Sequence, residues 1–224
     1  MIQNSQELLS INQEFLSLTT FCPKVHGKVE CLVFQKEPSK KYSQKNKYNN
    51  IDSLYSYNQL KEMSNILTNS TIAGNSLRND STGLYAAPHH FKALLESLSQ
   101  SFPDFDFSTI TPWNFKLIQS PEHAQADINF KFMTILPDSD QLVAHIWKML
   151  ENDIIPSSCY IYAYESDRPD AFSAMGTVFN LNYFFLNEKT NKVILVHLRE
   201  GSNEFDDEEL NSFDEDDNLE SNWV

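Results

Sequence analysis

Apolar positions recur along the chain at two periods, and together they divide it into helices and strands. Leu8, Ile11, Phe15 and Leu18 fall at three- and four-residue steps behind Ser5, a residue suited to an N-cap, so the first element is a helix with one buried stripe. Val25, Gly27, Val29 and Cys31 then alternate with His26, Lys28 and Glu30, a period of two that predicts a half-exposed strand ending near Phe34. From Asp52, Leu54, Leu60, Met63 and Leu67 outline a short amphipathic helix. After Pro88, which suits a first helical turn, Phe91, Leu94, Leu95, Leu98 and Phe102 form a stripe that Pro103 stops. Ile128, Phe130 and Phe132 alternate with Asn129 and Lys131 and predict a strand. Ser139 opens a helix carrying Leu142, Ile146, Trp147 and Leu150, and Pro156 closes that region. Strands follow at Cys159 to Tyr164, Val178 to Leu186 and Lys192 to Leu198, the last two joined as a hairpin by the polar turn Asn187 to Asn191. Strands and helices do not alternate regularly, so the pattern predicts an α/β chain of the α+β type: an antiparallel or mixed central sheet flanked by helices.

With 224 residues, 41% of them hydrophobic and 12% aromatic, the chain can bury one sizeable core, placed at residues 1–200. Two segments within that range are expected to be mobile insertions. The span 36–48 holds Lys36, Lys40, Lys41, Lys45 and Lys47 with almost no apolar residue, and the span 68–87 is rich in Ser, Thr, Asn and Gly. Residues 201–224 are expected to be a disordered acidic tail. They carry ten acids and no Lys or Arg, so the tail accounts for −10 of the −14 net charge and the rest of the chain for −4.

Charge narrows the partners. A sequence pI of about 4.7 lacks the basic footprint that neutralises phosphates, so neither nucleic acid as the main mode nor an anionic membrane is expected, and a basic protein surface is. In the tail, Phe205 and Phe213 stand among Asp206, Asp207, Glu208, Glu209, Asp214, Glu215, Asp216 and Asp217. That mixture suits docking onto a basic or apolar groove, and a plain solubilising tail would use the same charge. Cys22, Cys31 and Cys159 are odd in number and show no Cys-x-x-Cys spacing, which fits a reducing compartment. The first residues lack a basic segment followed by an apolar run, and no apolar stretch approaches the roughly 18 residues of a spanning helix, so nucleus and cytoplasm are the expected locations.

Candidate chemistry is sparse. Asp104 and Asp106, two apart, could act as a metal-binding carboxylate pair of the sugar-transferase kind, yet no glycine-rich phosphate loop accompanies them, and capping of backbone N–H groups is the simpler role. His26, His89, His90, His123, His145 and His197 are scattered, none at the four-residue helical spacing that aims two imidazoles at one ion. Cys159 sits in an alternating apolar strand, where a thiol packs as a small hydrophobe. No nucleophile elbow, P-loop or dinucleotide fingerprint occurs, so the chain is expected to be a binding protein rather than an enzyme, without a cofactor. Lys40-Lys41-Tyr42-Ser43 looks like a target for a basic-directed kinase. Ser39 and Ser43 beside those lysines, and Ser81 in the second insertion, are the candidate phosphorylation sites, and a phosphate near the lysines would cut their charge by close to two units.

Three separated segments resemble the signature boxes of the MAF family, negative regulators of RNA polymerase III unrelated to the leucine-zipper oncoproteins of similar name. Ile11 to Phe34, with Cys22-Pro23-Lys24-Val25-His26-Gly27-Lys28-Val29-Glu30, is similar to the first. Phe91 to Phe115, centred on Ser101-Phe102-Pro103-Asp104-Phe105-Asp106-Phe107-Ser108, is similar to the second. The third resembles Phe179-Asn180-Leu181-Asn182-Tyr183-Phe184-Phe185-Leu186-Asn187, preceded by Cys159 to Tyr164. The chain departs from the family where the second box usually opens on Ser-Arg, here Pro88-His89-His90, and where the third ends in several basic residues, here reduced to Lys189 and Lys192. The resemblance implies repression of RNA polymerase III by binding near its clamp and winged-helix subunits, which blocks engagement with promoter-bound transcription factor IIIB. It also implies regulatory kinases and phosphatases acting on the mobile region. The rival reading, motivated by the tail alone, is an acidic chaperone or coactivator for basic nuclear proteins.

Overall fold

The structure is a computed structural model that describes residues 2–3, 5–34, 85–166, 172 and 177–201. The helix expected from Asp52, the span 36–48, Ser39, Ser43, Ser81 and the tail beyond Gly201 lie outside the described residues. Among the described residues no helix is long and apolar enough to cross a membrane.

Six strands form one antiparallel sheet: β1 (Ile2–Gln3), β2 (Val25–Val33), β3 (Phe115–Ile118), β4 (Tyr160–Tyr164), β5 (Thr177–Asn187) and β6 (Lys192–Gly201), in the order β1-β2-β6-β5-β4-β3. The middle of the sheet is buried on both faces. Alternate residues of β5 divide between two cores, Leu181, Tyr183 and Phe185 to one and Phe184 and Leu186 to the other. That explains the unbroken run Tyr183-Phe184-Phe185-Leu186, because neither face meets water there. Asn187 makes the hairpin turn by accepting the backbone N–H groups of Lys189 and Thr190 at 2.9 and 3.3 Å.

Four helices among the described residues cover the sheet: α1 (Gln6–Thr19), α2 (Pro88–Ser101), α3 (Pro121–Ile135) and α4 (Asp140–Asp153). The first core takes its helical side chains from α1, α3 and α4, and the second takes them from α2 together with the loop that follows it. As expected, Ser5 caps α1, accepting the Leu8 N–H at 3.1 Å.

The residues Ile128, Phe130 and Phe132, expected as a strand, are helical. Ser120 caps α3, accepting the His123 N–H at 3.3 Å, and Pro121 occupies its first turn. The buried set is Ala124, Ile128 and Phe132, a four-residue step, while Phe130 is 68% exposed. The alternation at 128–132 was a stretch of helix with one apolar residue on the outer face. Residues 85–87, counted with the second insertion, belong to the fold: Tyr85 bridges Lys116 beside β3, and the Ala86 N–H donates to the Phe115 carbonyl at 3.0 Å.

Helix α1 packs directly on β2. Asn12 holds it there, its amide donating to the Val29 carbonyl and accepting the Val29 N–H, both at 2.9 Å. Gly27 completes the approach, since a Cβ at that position would overlap Phe15 Cε1 and lie 2.6 Å from Cδ1. Phe15 is buried against Phe132, their ring centroids 5.7 Å apart, so the ring has nowhere to retreat. Gly27→Ala is therefore expected to destabilise the fold by about 1–3 kcal/mol, as other overpacked cores do, measured as a lower urea midpoint at unchanged slope.

Candidate functional site

The three boxes converge at one end of the second core. Strand β2 brings His26, Gly27 and Lys28; β6, its antiparallel neighbour, brings His197 and Arg199; the loop after α2 brings Phe102 and Phe105; and Phe172 closes the group. They line a cleft of about 230 Å³.

The roof follows from the sequence after α2. The Phe102 N–H caps the helix at the Leu98 carbonyl, 2.9 Å away, and Pro103 prevents another turn. Phe102 then stacks on Phe105 with centroids 5.9 Å apart and planes 9° apart, while the fully buried Phe172 meets Phe102 edge-on at 5.0 Å. Lys28 ties this roof to the sheet: its ammonium sits 4.1 Å from the Phe102 ring centre, donates to the Ser101 carbonyl, and pairs with Glu30 at 3.2 Å. Asp104 is exposed. Asp106 is committed to its own loop, accepting the Ser108 backbone N–H at 2.8 Å and the Ser108 hydroxyl at 3.0 Å, bonds that hold its carboxyl below the usual range. Of the two roles weighed for this pair, Asp106 takes the capping one. Phe107 is buried against Phe172, and Ser101 is buried beneath the roof.

The floor is β6, backed by the third box. His197 Nδ1 bonds Asn182 Oδ1 at 2.7 Å, and the Asn182 amide in turn donates to Asn180 Oδ1 at 3.0 Å. Burial, reinforced by Lys28, Arg199 and His26, pushes the His197 imidazole down to about 3, so it is neutral in the fold. Tyr183 faces the other way and donates to Asp127 of α3 at 2.6 Å, with Lys131 pairing Asp127 at 2.9 Å. Burial, followed by the bond to Asp127, pushes the Tyr183 hydroxyl up. Phe184 and Phe185 are fully buried on opposite faces of β5. The third box is thus mostly core, and Asn180 and Asn182 are its link to the cleft. The cleft is lined by aromatic rings and by two cations that the fold itself engages, Lys28 by Glu30 and the Ser101 carbonyl and Arg199 by the Thr177 hydroxyl at 3.0 Å.

Residues 25–197 match the model of the Maf1 regulator family. The chain belongs to the Maf1 family. It is 33% identical over 107 residues to the Dictyostelium discoideum "Repressor of RNA polymerase III transcription", a stretch covering 47% of this chain and 38% of that protein. It is 26% identical over 109 residues to the Schizosaccharomyces pombe "Repressor of RNA polymerase III transcription maf1", covering 48% and 45% respectively. The matched stretch is less than half the length of each of these relatives. The crystal structure of citrus MAF1 shares the Maf1 fold at a TM-score of 0.53 and 20% identity, over 89% of this chain and 98% of that one.

Phe172 and Arg199 were not singled out from sequence, and only their place in the assembled Maf1 fold, one between β4 and β5 and the other on β6, reveals them. Among the histidines, His26 and His197 meet in the cleft, and His145 pairs with Glu14 at 3.3 Å. His89 and His90 meet Glu188, with burial pushing the His90 imidazole down and the His90 bond holding the Glu188 carboxyl low. Cys159 lies just before β4, its thiol 3.4 Å from the Ile154 carbonyl; burial and the Glu151 charge push it up to about 12, the condition of an inert thiol.

Proposed function

We propose that this Maf1-family chain represses transcription by RNA polymerase III, binding the polymerase near its clamp and winged-helix subunits and blocking engagement with promoter-bound transcription factor IIIB. The observation that carries the reading is the family match across residues 25–197, which takes in the strand of the first box and the whole of the second and third. Charge supports the manner of binding: the chain is net acidic, −14 in all and −4 before the tail, and is drawn to basic surfaces that a polymerase presents to DNA, and competes for them. No catalytic step is assigned to the chain. Phosphorylation at Ser39, Ser43 or Ser81 by regulatory kinases, reversed by phosphatases, is proposed to control it, with the protein moving between nucleus and cytoplasm.

The test is transcription of a polymerase III template with purified polymerase and factors, run with the full chain and with a version ending at Gly201. Both should repress and both should co-sediment with the polymerase, more weakly as salt rises, because the reading places binding in the folded body. An acidic chaperone acting through its tail would lose all binding on truncation. Salt-insensitive binding, or full transcription at saturating protein, would reject the proposal.

A further inference from the structure

We propose that His89, His90 and Glu188 form a binding site for a late first-row divalent cation of the Zn²⁺ type, with Tyr162 as a positioning residue. The three donors come from two places, the first turn of α2 and the turn between β5 and β6. Glu188 Oε1 stands 3.2 Å from His89 Nε2 and 2.8 Å from His90 Nε2, and the three ligand atoms all lie within 4.8 Å of one another. Bonds of 2.0–2.1 Å arranged tetrahedrally require neighbouring donors about 3.3 Å apart, a spacing that the two Glu188 pairs meet at 3.2 and 2.8 Å, and the exposed His89 ring is free to turn and bring the imidazole pair to it. Three protein ligands leave a fourth position for water.

The surroundings are those of a metal-binding imidazole. His90 is 4% exposed and its second nitrogen, Nδ1, is held by the Tyr162 hydroxyl at 2.7 Å, which fixes the ring with Nε2 aimed at Glu188. Such an outer partner is the usual device for orienting a ligating histidine. The Tyr160 ring, its centroid 4.4 Å from that of His90, packs on the same imidazole. Two imidazole nitrogens and one carboxylate oxygen favour Zn²⁺ and its late first-row neighbours over Mg²⁺ or Ca²⁺, which take oxygen-rich shells. Bound there, the ion would clamp the start of α2 to the β5–β6 turn and raise stability by mass action.

The full chain, stripped of metal with a chelator, is titrated with Zn²⁺ by calorimetry and with Co²⁺ by visible absorption. Saturable uptake of Zn²⁺ at one site and a tetrahedral Co²⁺ spectrum are expected, with a Zn²⁺-dependent rise in Tm. His89→Ala, at an exposed position, and Glu188→Gln, a near-isosteric change at a half-buried turn position, leave the core intact and should each weaken binding and abolish the Tm rise. Tyr162→Phe keeps the ring and should weaken Zn²⁺ by about 10- to 100-fold, the effect of losing an outer-shell partner. Acidic residues elsewhere contribute equally to wild type and variants, so the difference isolates this site. No saturable uptake by the wild type, or equal affinity in wild type, His89→Ala and Glu188→Gln, would overturn the proposal.

Discussion

Phe184→Ala is expected to lower the unfolding free energy by about 3–5 kcal/mol, the range for deleting a buried aromatic ring. Phe184 has no exposed surface and meets Phe115 edge-on, ring centroids 5.6 Å apart. Phe115 in turn contacts Phe91 of α2 at 5.9 Å and Tyr164 of β4 at 5.4 Å. The ring therefore joins α2, β3, β4 and β5, and neighbours held on three sides cannot collapse into the space it leaves. Domains of this kind have about 5–15 kcal/mol to lose, so the variant should also accumulate poorly in cells. Val178→Ala, on the same strand but 79% exposed, is the control and should stay within about 0.5 kcal/mol of wild type. Urea melts of the two decide the matter. A Phe184→Ala midpoint close to that of Val178→Ala would show that the third box is not the core element described.

The elements that were legible in the sequence are those whose local signals agree. Helix α2 combines a clean stripe with Pro88 before it and Pro103 after it, and the β5–β6 hairpin combines two apolar runs with an Asn-bounded turn. Strand β3 escaped notice because Phe115–Ile118 has only four residues, and pairing with β4 and the bridge from Tyr85 hold it more than its own pattern does. Strand β1, with two residues, is too short for any period. Helix α3 was misread because Phe130 on its outer face imitates an alternating strand, while its true signal, Ser120 and Pro121 ahead of a four-residue step, lay upstream of the window.

The site divides the same way. Resemblance to the family identified the boxes, but their roles come from the fold: Phe102 and Phe105 form a roof, Asp106 caps its loop, and Phe184 fills a core. Glu188 lies 98 residues from His90, so no spacing rule could have joined them, and Phe172 reaches the cleft from a region with no pattern of its own. Sequence periodicity reports which face of an element is buried, whereas a site assembled from β2, β6 and a helix-ending loop depends on which faces meet.

His197 should make this fold sensitive to acid over a window that its carboxylates alone would not set. In the unfolded chain its imidazole titrates near the ordinary value of 6.5, and in the fold burial brings it to about 3. Below about pH 6.5 the unfolded state takes up a proton that the folded state refuses, so stability falls as pH drops towards 3 and levels off below it. Between about pH 7 and about pH 4.5 this one group should remove roughly 2–3 kcal/mol, and the lowered His90 acts with the same sign. His197→Asn keeps an amide N–H near the position of Nδ1 but cannot titrate. It should be less stable than wild type at neutral pH, and its deficit should shrink by that amount on acidification, measured by urea melts at a series of pH values. A deficit that stays constant with pH would rule out the buried, neutral His197. The physical origin is local: a charge on this ring would face Lys28 and Arg199 beneath Phe102, with Asn182 Oδ1 as its partner at 2.7 Å, so protonation and departure of the second-box loop from the sheet are expected to occur together.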